Sequence, residues 1–112
     1  MALRRGLDLL SNLSASDREL LLVKAEILFE LQLYADALEQ FGYCLDSKPQ
    51  DYKTHLRVVE IHLLLSDLET AETKLDYVLQ YCDDPALKKK CQRFKKQIDE
   101  KRELEKNESP SN

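Results

Sequence analysis

The chain has 112 residues, a charged fraction of 34% and a formal net charge of −4, which allow one domain with a single modest core. No run approaches the roughly 20 apolar residues of a membrane helix, and the arginine-containing start is too short an apolar stretch for a secretory signal. Three cysteines without a C-x-x-C pair fit a reducing compartment better than a disulfide framework. We therefore expect an intracellular protein of the cytoplasm or nucleus, outside any membrane.

Residues 1–13 contain the first predicted element, a short amphipathic helix. Leu3, Leu7 and Leu10 are spaced by four and three residues and form one apolar stripe. The next predicted helix is apolar almost all round between residues 20 and 31, so it needs cover on more than one side. Ser16 and Glu19 have the S-x-x-E form of a capping box and predict its first turn.

A helical hairpin is predicted over residues 16–49. The polar break at residues 32–34 is too short for a long loop, so the two helices must run antiparallel. Small residues at Ala25 and Ala37 allow the two backbones to approach, and Phe41 fills the space beside them. Pro49 cannot continue a helix, so the second helix ends before it.

This hairpin resembles the tetratricopeptide repeat (TPR), a helix-turn-helix motif of about 34 residues. With Pro49 on the motif's final proline, the small and aromatic positions of the family fall on Ala25, Ala37, Phe41 and Cys44. The second helix, in YADALEQFGYCLDSKP, carries the specific part of the match. Leu21 and Lys24 depart from the tryptophan and leucine that the family often has in the first helix.

A second copy of the pattern follows the first at a separation of one motif length. We call this separation the repeat interval. Each apolar position of the first copy recurs after this interval, in the pairs Ala37 and Ala71, Phe41 and Leu75, Cys44 and Val78, Ala25 and Val59. Ser66 and Glu69 repeat the capping-box form. The resemblance implies TPR-like repeats at residues 16–49 and 50–83. It also implies that residues 1–13 are the second helix of a truncated preceding repeat. The chain is therefore interpreted as a fragment, a shortened isoform or a minimal array.

The last predicted helix starts at Asp84, the expected N-cap, followed by Pro85 at the first helical position. Its single apolar stripe suits a capping helix over residues 84–105, before a disordered tail at 106–112. The predicted fold is all-α, with antiparallel helix hairpins stacked as a short right-handed TPR-like solenoid and closed by a C-terminal capping helix.

The resemblance implies a partner-binding groove on the first helix of each repeat. The groove-facing positions of the family fall on Glu19, Leu22, Glu26, Phe29 and Glu30, then on Lys53, Leu56, Arg57, Glu60 and Leu63. Lys90 and Phe94 on the capping helix are further candidates. A partner peptide or helix with apolar anchors and some basic residues would suit this set. The alternative is that several of these side chains only complete the core.

Basic residues are concentrated after Pro85, whereas residues 1–84 carry twice as many acidic as basic side chains. No acidic residue stands between Pro85 and Ile98, and the run of cations comprises Lys88, Lys89, Lys90, Arg93, Lys95 and Lys96. This basic patch suits an acidic peptide or phosphate groups, or it is a solvated face that answers the acidic remainder of the chain. Nucleic acid is disfavoured because the chain as a whole is acidic and the aromatic residue within this run, Phe94, belongs to the apolar stripe.

Catalytic chemistry is not indicated by the sequence. His55 and His62 are about 10 Å apart along one helix, too far for one metal ion, and the cysteines behave as small hydrophobes. We expect no enzyme activity, no cofactor, no metal and no small-molecule substrate.

Two classes of function remain. The chain is expected to be a TPR-type adaptor or scaffold that binds a partner protein in its groove, or a structural subunit that stacks on other helical repeats or on itself through its N-terminal helix. A chaperone-tail receptor ranks below both. In that TPR subtype, cations and amides hold a carboxylate, but Leu22, Glu26 and Arg57 occupy those positions here.

Overall fold

The computed structural model describes residues 14–108, which form five α-helices and contain no strand. The expected all-α class is confirmed for this range. The chain divides into two compact units between Thr54 and His55, and each is described separately below. The predicted helix in residues 1–13, and most of the predicted tail, lie outside the described residues.

The first unit contains an antiparallel hairpin of helices α1 (Ala15–Glu30) and α2 (Tyr34–Ser47). At one end Arg18 of α1 donates a hydrogen bond to Ser47 of α2, with 3.4 Å between Nη1 and Oγ. At the other end the rings of Phe29 and Tyr34 meet edge-on, with centroids 5.8 Å apart. The core between the helices includes the predicted small and aromatic positions, all buried: Ala25, Ala37, Phe41 and Cys44.

The turn between α1 and α2 is a Schellman motif, in which a residue with positive φ ends the first helix. Gln32 has a φ of 62°, and its N–H donates to the carbonyl of Phe29 at 2.9 Å. The next N–H, of Leu33, donates to the carbonyl of Leu28 at 2.9 Å. These two bonds satisfy carbonyls that a helix end otherwise leaves without partners, and they turn the chain within three residues.

The second unit has the same turn between α3 (Tyr52–Leu64) and α4 (Leu68–Tyr81). Ser66 also has a φ of 62°, its N–H donates to Leu63 at 3.0 Å, and the N–H of Asp67 donates to His62 at 2.8 Å. Every one of these positions follows its counterpart in the first unit by the repeat interval. The rings of His55 and Tyr77 are 5.1 Å apart, which places the start of α3 beside the end of α4 in an antiparallel hairpin.

The predicted capping boxes are wrong in both hairpins. The side chain of Ser14, rather than Ser16, accepts a hydrogen bond from the N–H of Asp17 and caps α1. Both serines precede an acidic residue by three positions, so their spacing does not choose between them. Ser66 is unavailable as an N-cap because it occupies the positive-φ position of the turn, so the side chain of Asp67 caps α4.

The final helix, α5 (Pro85–Glu108), begins where the sequence predicts, and the Asp84 carboxylate accepts from the N–H of Ala86 at 2.9 Å. It packs along α4, and its stripe buries Cys91, Phe94 and Ile98. The helix continues to Glu108, beyond the predicted end at residue 105, because mixed charges at helical spacing support it further than expected.

Candidate protein-binding surfaces

The first unit carries a shallow groove on α1 with a volume of about 440 Å³. The residues that line it come from successive turns of α1 and from its C-cap, Leu31: Glu19, Leu22, Val23, Glu26, Ile27, Glu30 and Leu31. Apolar and acidic side chains therefore share this surface, and no basic residue lines it.

A row of four exposed aliphatic side chains follows α1, and the last three of them line the groove. Leu20, Val23, Ile27 and Leu31 are 68%, 52%, 54% and 62% exposed. Their spacing of three, four and four residues places them along one line of the helix, about 16 Å long. The hairpin core takes only the face of α1 that contains Ala25, so this row meets no cover within the described residues of the first unit.

A row of glutamates lies beside the aliphatic row. Glu19, Glu26 and Glu30 are spaced by seven and four residues and all line the groove. Glu30 is also the last residue of α1, where the carbonyl end of the helix dipole adds negative potential. The groove is therefore suited to a ligand that brings both apolar and cationic side chains.

Four of the predicted groove residues come together in this groove: Glu19, Leu22, Glu26 and Glu30. Phe29 does not line it, because its ring packs against Tyr34. Val23, Ile27 and Leu31 are not among the groove residues predicted from the sequence. Their spacing predicts an apolar face on α1, but it does not distinguish a face that packs in the core from one that stays exposed.

The groove residues predicted on α3 have different environments. Leu56 and Leu63 are 2% and 3% exposed and belong to the core, so the prediction that they face a partner is wrong. Arg57 and Glu60 form an ion pair with each other, with 2.8 Å between Nη1 and Oε1. Lys53 is exposed at the start of the helix.

The basic patch on α5 is exposed at all six predicted positions: Lys88, Lys89, Lys90, Arg93, Lys95 and Lys96. Lys95 lies on the side of the helix that faces α4, where its Nζ is 3.9 Å from an oxygen of Asp76. Farther along, Arg102 forms two hydrogen bonds with Glu72, at 2.9 and 3.0 Å, and Lys101 donates to the carbonyl of Leu63. Lys95, Lys101 and Arg102 thus make structural contacts with α3 and α4.

Burial is the main cause of the shifted pKa values of Cys44, Cys91 and His62. Cys44, Cys82 and Cys91 are free thiols in the core, and burial raises the pKa of Cys44 to about 11. Burial lowers the pKa of His62, whose Nδ1 is enclosed without a hydrogen-bond partner, 3.5 Å from an oxygen of Asp67. Residues 14–108 contain no group of three or more metal-ligating side chains, and none of their helices has the length and apolar character needed to cross a bilayer.

Comparison with family models, with curated proteins and with solved structures finds no match to this chain.

Proposed function

We propose that the chain is a non-enzymatic protein-binding module built from TPR-like hairpins, and that its α1 groove binds a helix or peptide of a partner protein. The observation that carries this proposal is the exposed row of Leu20, Val23, Ile27 and Leu31 beside three glutamates. Contiguous apolar surface of this kind costs solubility in a monomer, and it is typical of interaction sites.

The repeat interpretation is supported by backbone geometry that recurs at the repeat interval. The positive-φ residues Gln32 and Ser66, the two hydrogen bonds of each turn, and the bounds of α2 and α4 all follow it. Ala37 and Ala71 are separated by the same interval, and both are buried. The side chains therefore repeat at the TPR period, as the turns do. Stacking of the hairpins into a solenoid belongs to the same proposal.

The chemistry of the partner follows from the groove. Aliphatic residues at helical spacing on the partner would cover Val23, Ile27 and Leu31, as in recognition of amphipathic helices by apolar grooves. Lysine or arginine side chains next to them would meet Glu19, Glu26 and Glu30. A chaperone-type carboxylate is disfavoured, since Glu26 would repel it.

The proposal is tested by capturing partners from cell extract on the tagged full chain. Ile27→Asp is expected to abolish capture of specific proteins, because it places a charge in the apolar row. Leu104→Asp is the matched control, since Leu104 is also an aliphatic residue, 58% exposed, but lies on α5. Equal capture by both variants and by the unmodified chain would rule out the α1 groove as the binding surface.

The second candidate is a structural subunit that stacks on other helical repeats, because the same uncovered row would suit a neighbouring hairpin. Molecular mass by light scattering separates the two functions. A dimer or larger assembly that Ile27→Asp, or charge at Leu3 or Leu7, converts to monomer favours stacking. An unchanged mass with lost partner capture favours the groove.

We assign either function to an intracellular compartment, supported by the three free, buried thiols.

A further inference from the structure

We propose that the outer face of α5 is a second, purely electrostatic docking surface that binds an acidic segment of a partner protein. The surface consists of Lys89, Arg93 and Lys96, flanked by Lys88 and Lys90. It is separate from the α1 groove, and its test is independent of that proposed function.

Helical geometry places these cations on the side opposite the buried stripe. Cys91, Phe94 and Ile98 define the face of α5 that packs in the second unit. Lys89, Arg93 and Lys96 follow one another at four and three residues, about half a helical turn around from that stripe. They form a line about 10 Å long, in which each side chain is exposed to solvent.

The cations of this line are not used by the fold. Lys95, Lys101 and Arg102 contact Asp76, the Leu63 carbonyl and Glu72, whereas Lys89, Arg93 and Lys96 form no ion pair within residues 14–108. Glu100 lies four residues after Lys96 on the same helix, a spacing that permits an ion pair. The two side chains nevertheless do not form one. Three neighbouring positive charges repel one another, so their clustering costs stability that a bound anionic group would offset.

The composition of the face selects the class of partner. Gln92 is the only uncharged residue between Lys89 and Lys96 that shares the outer side, so the face contains no apolar residue to enter a membrane and no aromatic ring to stack on a base. The chain as a whole has a net charge of −4, which opposes a long polyanion such as nucleic acid. A short acidic protein segment with three or more carboxylates within about 10 Å would pair with the row of cations. It needs neither apolar nor aromatic contacts, and it is too short to be repelled by the rest of the chain as a long polyanion would be.

The test measures binding of a fluorescein-labelled glutamate decapeptide to the full chain by fluorescence anisotropy, with a glutamine decapeptide as the ligand control. The variant Lys89→Glu, Arg93→Glu and Lys96→Glu is compared with Lys24→Glu, Lys48→Glu and Lys53→Glu. Both triple variants change the net charge equally at exposed positions, but only the first alters the α5 face.

We expect the α5 triple variant to bind the glutamate peptide at least tenfold more weakly, and the control triple variant to stay within about threefold of the unmodified chain. Added salt should weaken binding, as for any exposed charge contact. Circular dichroism checks that α5 stays helical, and a milder triple variant with glutamine at the same positions should give an intermediate loss. Ile27→Asp should leave this binding unchanged.

Three outcomes would overturn the proposal. The unmodified chain fails to bind the glutamate peptide, or both triple variants lose affinity equally, which would mean that only net charge matters. In the third outcome, a single-stranded oligonucleotide or anionic phospholipid vesicles bind the α5 face more tightly than the acidic peptide, which would assign the surface to a different class of ligand.

Discussion

Cys44 illustrates how strongly burial controls the pKa and the reactivity of a single side chain in this protein. Its thiol is enclosed in the α1–α2 core, where desolvation is the main cause of a pKa of about 11, with a smaller contribution from Asp51. The thiolate, which is the reactive form, is therefore almost absent at neutral pH.

We predict that iodoacetamide at pH 8 modifies Cys44 about 100-fold more slowly in the folded chain than in the chain unfolded by guanidinium. Mass spectrometry of the Cys44 peptide over time measures both rates. Equal rates in the two conditions would contradict the buried position.

His62 makes the stability of the second unit depend on pH. Burial, aided by Lys74, lowers its pKa, while Asp67 acts in the opposite direction. Because the folded pKa lies below the unfolded value of about 6.5, the neutral ring stabilises the fold above that pH, and this contribution is lost as the pH falls through the folded pKa.

We predict that the free energy of unfolding decreases as the pH falls from 7 to 5, with a slope of at most about 1.4 kcal/mol per pH unit from this group. His62→Gln should flatten the curve in urea titrations, and His55→Gln, at the other histidine of α3, serves as control. A curve unchanged by His62→Gln would show that other groups cause the dependence.

The two hairpin turns each place a non-glycine residue in a strained backbone conformation. Gln32 and Ser66 both adopt a φ of 62°, which costs an L-residue about 1 kcal/mol and costs glycine little. Glycine is the usual residue at this position of a Schellman motif.

We therefore expect Gln32→Gly to stabilise the chain by about 0.5–1 kcal/mol in chemical denaturation, although part of the gain is offset by the greater freedom of the unfolded chain. Gln92→Gly, at an exposed site inside α5, should destabilise it by about 1 kcal/mol. The opposite signs separate relief of strain from a general effect of glycine.

For the molecule as a whole, the central inference is that positions separated by the repeat interval have equivalent roles in the two hairpins. Ala37 and Ala71 are both fully buried, each at a helix that follows a Schellman turn. A larger side chain at either position would force neighbouring side chains from their packed positions.

We predict that Ala37→Leu and Ala71→Leu each lower the free energy of unfolding by about 1–3 kcal/mol. Ala35→Leu, at an exposed position of α2, should change it by less than about 0.5 kcal/mol. A large cost at only one of the two buried alanines would argue against equivalent roles.

The sequence determined the parts of this protein that depend on local spacing. Apolar residues at three- and four-residue steps predicted the helices, and short breaks predicted the antiparallel hairpins. Pro49 and Pro85 marked a helix end and a helix start that the structure confirms. The core positions Ala37, Phe41 and Cys44 of α2 were also found, because a helix with one apolar face has one way to bury it.

Tertiary structure decided which side chains remain at the surface. A helix that is apolar around most of its circumference, such as α1, has no unique inward face, so spacing did not reveal that Val23, Ile27 and Leu31 stay exposed while Leu56 of α3 is buried. The caps show the same limit, because Ser66 fits a capping pattern but the turn requires it at positive φ. Local pattern restricts which residues share a face, and only packing against the rest of the chain determines which of those faces water can reach.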